Sequence, residues 1–503
     1  MDCADIHIEN SRKFRLFIKW IPARVVLYLL SLNGIGVGYL MRLSINLTIL
    51  AMVKERPIQT NFNETLCNVN NNGTLQTPID YQGTLDWSFD DQYYVLNSFY
   101  WSYLLANSIS GTFVQKYGTK KMFGWSLLIS SICIVSIPFT SNIHYIVVVV
   151  VQSIHGFVQG FAWTALYAVI GVWIPANEKS RFVTSFQGAL IGMMVAYLMS
   201  GFITSKFGWP YVFYCIGVLG FLSSVVWYLL MHDKPEDHPR ISKQELHYIQ
   251  QNREQCLNLD TVIPWKSIFT SVPVWVLCIT SFGRAWLAFS LQIYGPLYLK
   301  TVGGVTLETN GLLLGISSFL SLVSVMFFST IADLIATYKL MPVDYNRKLF
   351  SGIGQIIPGF LVLVLCFLEC NIIMIFTVWV SIHIMLTANF AGAMTNITDI
   401  APNFTGPVSS LIQMMILSTT IFSPLMLKTL LQNENIFQAW RDFFYICSGL
   451  IIGTYLMYAV FGSGKVQSWN FSKTMNDKNE IKDEEELLVD KIDIELRSIT
   501  GSS

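Results

Sequence analysis

Long apolar stretches separated by short polar ones run through the whole chain. Twelve apolar segments are counted, at about 25–53, 92–114, 122–138, 144–173, 183–205, 210–231, 272–299, 309–331, 349–368, 371–395, 406–428 and 440–462. A helix rises 1.5 Å per residue, so about 20 apolar residues cross roughly 30 Å of hydrocarbon. Each segment is near or above that length, and most are bounded by Pro, Gly or charges. Six precede the polar stretch 232–265 and six follow it. The pattern predicts an all-α membrane protein with twelve transmembrane helices in two six-helix bundles: an N-terminal bundle over 25–231, a linker over 232–265 and a C-terminal bundle over 266–462.

Two arginines break this pattern. Arg42 lies eleven residues from the end of the first run, about 16 Å deep at the helical rise. A charge at that depth costs several kcal/mol and is tolerated when it faces a bundle interior or a water-filled cavity. Snorkelling to the interface is the competing reading, but it belongs to helix ends. Arg284, in Ser281-Phe-Gly-Arg284-Ala-Trp286, stands about a dozen residues into the seventh run. An arginine held inside a membrane asks for an anion, and two from opposite halves offer bidentate hydrogen bonds to a carboxylate or phosphate. For Arg284 the alternative is capping of helix carbonyls.

Charge elsewhere sets orientation. With the N-terminus inside, loops and termini on the inner side carry 24 of the 32 Lys and Arg and the outer side six, Arg42 and Arg284 making up the rest. The positive-inside rule then places both termini, with the N-terminal stretch 1–24, in the cytosol. No short cleavable signal precedes the first run. The long outer loop 54–91 holds two glycosylation sequons, at Asn63 and Asn72. The tail 463–503 is highly charged and is expected to be disordered. Within it, Asp483-Glu-Glu-Glu-Leu487-Leu488 matches the acidic dileucine pattern of an endosomal sorting adaptor, against the plainer reading of a solvated charge run.

Composition narrows the class further. The chain is 53% hydrophobic and 13% charged, with mean hydropathy +0.49; soluble domains carry about 25% charged residues. Net charge is zero, which offers no field for nucleic acid. Nine scattered cysteines contain no CxxC and imply neither a disulfide framework nor zinc. No nucleophile–base arrangement, metal cluster or phosphate loop is visible, so an enzyme is not expected.

Charged motifs recur at matching places in the two halves. Gly111-x-x-x-Gln115-Lys116-x-Gly118-x-Lys120-Lys121 follows segment two, and Ser329-Thr-Ile-Ala-Asp333 follows segment eight. Pro175-Ala-Asn-Glu178-Lys179-Ser180-Arg181 follows segment four. Glycine allows close helix approach, and clustered charges can form a breakable latch between bundles; topology-fixing charge is the alternative.

Taken together, these residues resemble a major facilitator, and more narrowly the anion:cation symporter family of sialin, the vesicular glutamate transporters and the type I sodium/phosphate cotransporters. The matching stretches are Tyr39-Leu-Met-Arg42 through Val53, Ser98-Phe99-Tyr100-Trp101-Ser102-Tyr103, Trp173-Ile-Pro175 through Arg181, Trp209-Pro-Tyr-Val212-Phe213-Tyr214, Asp399-Ile-Ala-Pro402 and Phe461-Gly-Ser-Gly464-Lys465. They cover nearly the whole chain. The resemblance implies alternating-access transport of a small anion by a monomer in the bilayer, without a cofactor. Arg42 and Arg284 would bind substrate, with Trp163 and Phe289 lining the cavity or packing in the core.

Departures from the family pattern concern coupling. Where proton-coupled members resemble Arg-x-x-Glu-Gly-x-x-Glu-Gly, this chain reads Gln152-Ser-Ile-His155-Gly156-Phe-Val-Gln159-Gly160, and Leu96 replaces a second-helix histidine. No Asp or Glu is left within the first six runs. His155 is then the titratable candidate for coupling, or a hydrogen-bonded core residue, and His383 a second candidate without family support. Gln152 and Gln159 look more like the inorganic phosphate cotransporters, where sodium is the driving ion. The expectation is a sodium- or proton-coupled anion transporter of the plasma membrane or of endosomal and lysosomal membranes. The rivals are an uncoupled uniporter or exchanger and a transport-inactive receptor or scaffold, the latter having no reason to bear two buried arginines.

Overall fold

The computed structural model describes residues 22–471 apart from 55–82, 176–177, 179–181, 183, 253–263, 369–370, 403 and 434–435. The two sequons and the dileucine, Asn63, Asn72, Leu487 and Leu488, fall outside the described residues, as does Arg181. What is described is almost entirely helical and forms two six-helix bundles. The first half holds Ala23–Met52, Phe89–Tyr117, Thr119–Ser141, the broken pair Tyr145–Gln159 and Ala162–Trp173, Gly188–Phe207 and Trp209–Leu230. The second holds Val272–Thr301, Leu307–Thr337, Val343–Leu365, the broken Ile372–Leu386 and Ala393–Ile400, Thr405–Asn433 and Ile436–Phe461. Counted in chain order these are spans one to twelve. Eleven are long and apolar enough to cross a bilayer; the second is of spanning length but carries Asp90, Asp91 and Lys116.

Local chemistry corrects some boundaries. The second span starts before its apolar run because Ser88 accepts from the Asp91 amide at 3.1 Å while Asp91 accepts from the Ser88 amide at 2.8 Å. This capping box satisfies orphan amides and puts carboxylates at the positive helix end. The first six spans therefore do contain acids, Asp90 and Asp91, but at a helix end. The eighth span likewise opens early, at Leu307, where the Thr306 hydroxyl accepts from the Thr309 amide.

The fourth span of each half is interrupted. Gly160 and Phe161 separate Gln159 from Ala162, and a 3-10 turn over Thr387–Phe390 separates Leu386 from Ala393. Interrupted helices inside a membrane are tolerated where they line protein or a cavity.

Within the first half, span one packs on span five, two on four and three on six; span five meets span eight and span two meets span eleven across the halves. Small residues allow the closest approaches. A Cβ at Gly192 would collide with the Gly36 carbonyl, and one at Gly201 would lie 3.1 Å from Gly311 Cα. Gly192→Val forces backbone apart and is expected to cost about 1–3 kcal/mol. A lower unfolding temperature of the purified variant checks this; an unchanged one contradicts the close packing of spans one and five.

Candidate functional site

The side chains of one helical face converge on Arg42. Tyr39 and Arg42 are three residues apart on span one, Phe99 and Tyr103 four apart on span two, and Gln152, His155 and Gln159 share a stripe on span four. The Arg42 guanidinium lies 4.6 Å from the Tyr100 ring centre, 5.0 Å from Phe99, 5.2 Å from Tyr103, 5.5 Å from Tyr39 and 5.9 Å from Phe289. It is 5% exposed. No described carboxylate pairs with it, and its Nε and Nη2 are buried without a hydrogen-bond partner. Aromatic faces attract a cation by about 0.5–2 kcal/mol each. They hold the charge without neutralising it.

Arg42 lines a cavity together with Tyr39, Tyr103, Gln159 and Trp163. That cavity runs along span one from Gly34 to Arg42, on the side facing the linker. Gln159 Nε2 donates to the Gly38 carbonyl at 3.0 Å, tying the broken fourth span to the first. His155 is fully buried, its Nδ1 3.0 Å from Gln152 Oε1 and its ring 4.9 Å from Phe99; its Nε2 has no partner.

Arg284 does not line this cavity. Its guanidinium lies 5.6 Å from the Phe390 ring, on the 3-10 turn that interrupts span ten, and its Nε is buried without a partner. Phe289, a little over one turn along the same span, is the residue of the second half that reaches Arg42. His383 lies against Trp379, within the second half. The cage residues Phe99, Tyr100 and Tyr103 escaped sequence reasoning. Their signal was an aromatic cluster at helical spacing in the least apolar span, readable only once Arg42 was known to face them.

Among the described residues, the motif charges make their contacts within the first half or stand exposed. Gly111 is exposed with nothing near its Cβ position, Lys116 lies over Tyr117, and Lys121 and Asp333 are exposed. Gly118 has φ +85° at a turn, and the amide of Lys120 donates to Asp233 Oδ1 of the linker at 2.7 Å. Glu178 pairs with Arg24 at the start of span one. Glu245, in the linker helix Lys243–Asn252, accepts from the Ala23 and Arg24 amides at 3.1 and 3.2 Å and from Arg24 Nε at 3.1 Å. It caps the first span from another helix, while its own amide donates to Ser242 Oγ at 3.0 Å. The linker is thus bound to the first half.

Polar contacts between the halves lie instead at the end away from the linker. Lys428 pairs with Asp90 at 3.0 Å, Lys300 Nζ donates to the Leu50 carbonyl at 3.1 Å and Asn97 Nδ2 donates to Tyr294 Oη at 3.1 Å. The Gln292 carbonyl accepts from Asn46 Nδ2 at 3.3 Å and from Tyr197 Oη at 3.0 Å.

This arrangement has relatives. The model of the Major Facilitator Superfamily matches residues 65–424. The chain belongs to that superfamily. It is 28% identical over 435 residues to Sodium-dependent phosphate transport protein 1 of Mus musculus, covering 85% of this chain and 91% of that protein. It is 26% identical over 474 residues to Vesicular glutamate transporter 3 of Danio rerio, covering 93% and 78%. The crystal structure of D-xylose-proton symporter superposes with TM-score 0.62 at 14% identity, over 88% of this chain and 99% of that one, and shows the shared fold. These relatives make the protein a transporter rather than an enzyme.

The linker's seat on the transporter is expected to weaken at low pH. The His238 ring stands 5.6 Å from Trp173 and 5.0 Å from His232. Burial, then the neighbouring His232 and Arg240, push its pKa below the ordinary value. A depressed histidine is neutral when docked, so docking is complete above about pH 6.5 and weakens as pH falls below it. Hydrogen exchange in 243–252, corrected for intrinsic rate, should quicken between pH 7.5 and 5.5, and His238→Asn should remove most of that change. Equal pH dependence in the variant contradicts the assignment.

Proposed function

We propose that the protein is a secondary transporter moving a small anion by alternating access, with Arg42 as the anion's ligand. The observation that carries this reading is the guanidinium itself: buried, lining a cavity, ringed by aromatics and facing no described acid. An incoming carboxylate or phosphate would complete its hydrogen bonds and neutralise its charge. Arg284 belongs to the second half's share of the route. The Lys and Arg distribution supports a cytosolic linker and cytosolic termini. In that orientation the cavity faces the cytosol and the cross-half bonds seal the outer side. The unit that rocks is the first bundle with its linker, against the second.

For the driving ion, sodium comes first and the proton second. Gln152 and Gln159 stand where carboxylates would serve a proton, and the relative in mouse bears the name sodium-dependent. The anion class includes phosphate and organic carboxylates, and the protein acts as a monomer at the plasma membrane or in endosomal and lysosomal membranes.

Uptake into proteoliposomes, with sodium, proton and voltage gradients imposed singly over a panel of labelled anions, tests this. Arg42→Ala should lower uptake of the accepted anion by roughly 10- to 100-fold, the range of a charge-assisted hydrogen bond. Arg42→Lys, which keeps charge but loses the planar fork, should fall between. Unchanged uptake in a folded Arg42→Ala protein removes Arg42 from the site. His155→Gln should leave sodium-driven uptake and its pH profile unchanged; a flattened profile transfers coupling to His155.

A further inference from the structure

The seventh span carries Pro296 in its interior. In an α-helix the amide of residue 296 would donate to the carbonyl of residue 292, and proline has no amide hydrogen to give. The Gln292 carbonyl is therefore released from its own helix. It accepts instead from Asn46 on span one and Tyr197 on span five, both in the other half and both buried. Asn46 is one turn from Arg42, and Phe289 is one turn from Gln292 in the same direction, towards the linker. The bond at Gln292 and the contact of Phe289 with Arg42 are thus successive rungs between the same two spans.

We propose that the Gln292 carbonyl, released by Pro296, is the acceptor that closes the end of the cavity away from the linker and positions Phe289 over Arg42. Pro296, Asn46 and Tyr197 are positioning residues: none lines the cavity, and together they set whether span seven lies against span one. The Lys428–Asp90 and Lys300–Leu50 contacts strap the same end at its rim. Opening that end exchanges the two donors to Gln292 for water. The geometry of closure is independent of substrate; its effect on Arg42 rests on the anion reading above.

The test uses the full chain. Pro296→Ala improves the helix and restores an amide that recaptures the Gln292 carbonyl, so loss of folding is not its expected effect. Tyr197→Phe removes one donor and leaves Asn46 alone to hold the carbonyl. Spin labels replacing the exposed Ile143 and Ile373, one in each half at the end away from the linker, report the separation there. Pro296→Ala should raise the population with long separation by roughly 2- to 12-fold, the range for one net hydrogen bond. Tyr197→Phe should shift it the same way. The double variant should shift no further than Pro296→Ala alone, because both changes act on one carbonyl. An unchanged distribution in Pro296→Ala, or full additivity with Tyr197→Phe, overturns the proposal. The predicted distance shifts, together with no anion uptake by the parent protein, would leave the closure standing and remove the anion reading instead.

Discussion

A single positive charge, buried with no described carboxylate beside it, governs the first half of this transporter. Placing a guanidinium in a low-dielectric interior costs several kcal/mol, and removing either member of a buried pair is normally destabilising. Among the described residues no such partner faces Arg42. Four aromatic rings of spans one and two and a fifth from span seven recover part of that cost. The remainder is what an anion can relieve on arrival.

The same economy of backbone and side chain recurs away from Arg42. Gly156 and Gly160 let span four press against span two just where its helix is interrupted. Pro296 turns a carbonyl that would have been internal to span seven into a bond between the halves. At the linker end the contacts stay within one half: Glu245 caps span one, Asp233 holds the turn at Gly118, and Arg347 pairs with Asp399 at 2.7 Å in the second half. Bonds within each half at one end and bonds between halves at the other describe a molecule closed on one side and free to part on the other.

The spans were legible from hydropathy because a bilayer demands twenty-odd apolar residues whatever their packing. Arg42 was legible because a charge interrupts that demand. Span ends were read less well, since Ser88 with Asp91 and Thr306 with Thr309 extend helices by hydrogen bonding, beyond any apolar run. The clustered charges of short loops suggest a latch, yet among the described residues Glu178 and the Gly111–Lys121 motif contact their own half. The contacts that do cross use two backbone carbonyls, two asparagine amides, two tyrosine hydroxyls and two lysines spaced far apart in sequence. Nothing in composition marks a carbonyl as free except the proline four residues on. Likewise the separation of Arg284 from the Arg42 cavity depends on helix rotation, which hydropathy does not encode.

The most direct test of an uncompensated Arg42 awaiting an anion is thermal unfolding of the purified protein over a titration of inorganic phosphate and then of individual carboxylates. Saturation at 100 times Kd stabilises the folded state by about 2.7 kcal/mol, well within reach of such a measurement. At least one anion should raise the unfolding temperature of the parent protein and leave that of Arg42→Ala unmoved. Equal stabilisation of both proteins would show that the anion binds elsewhere and would contradict the account.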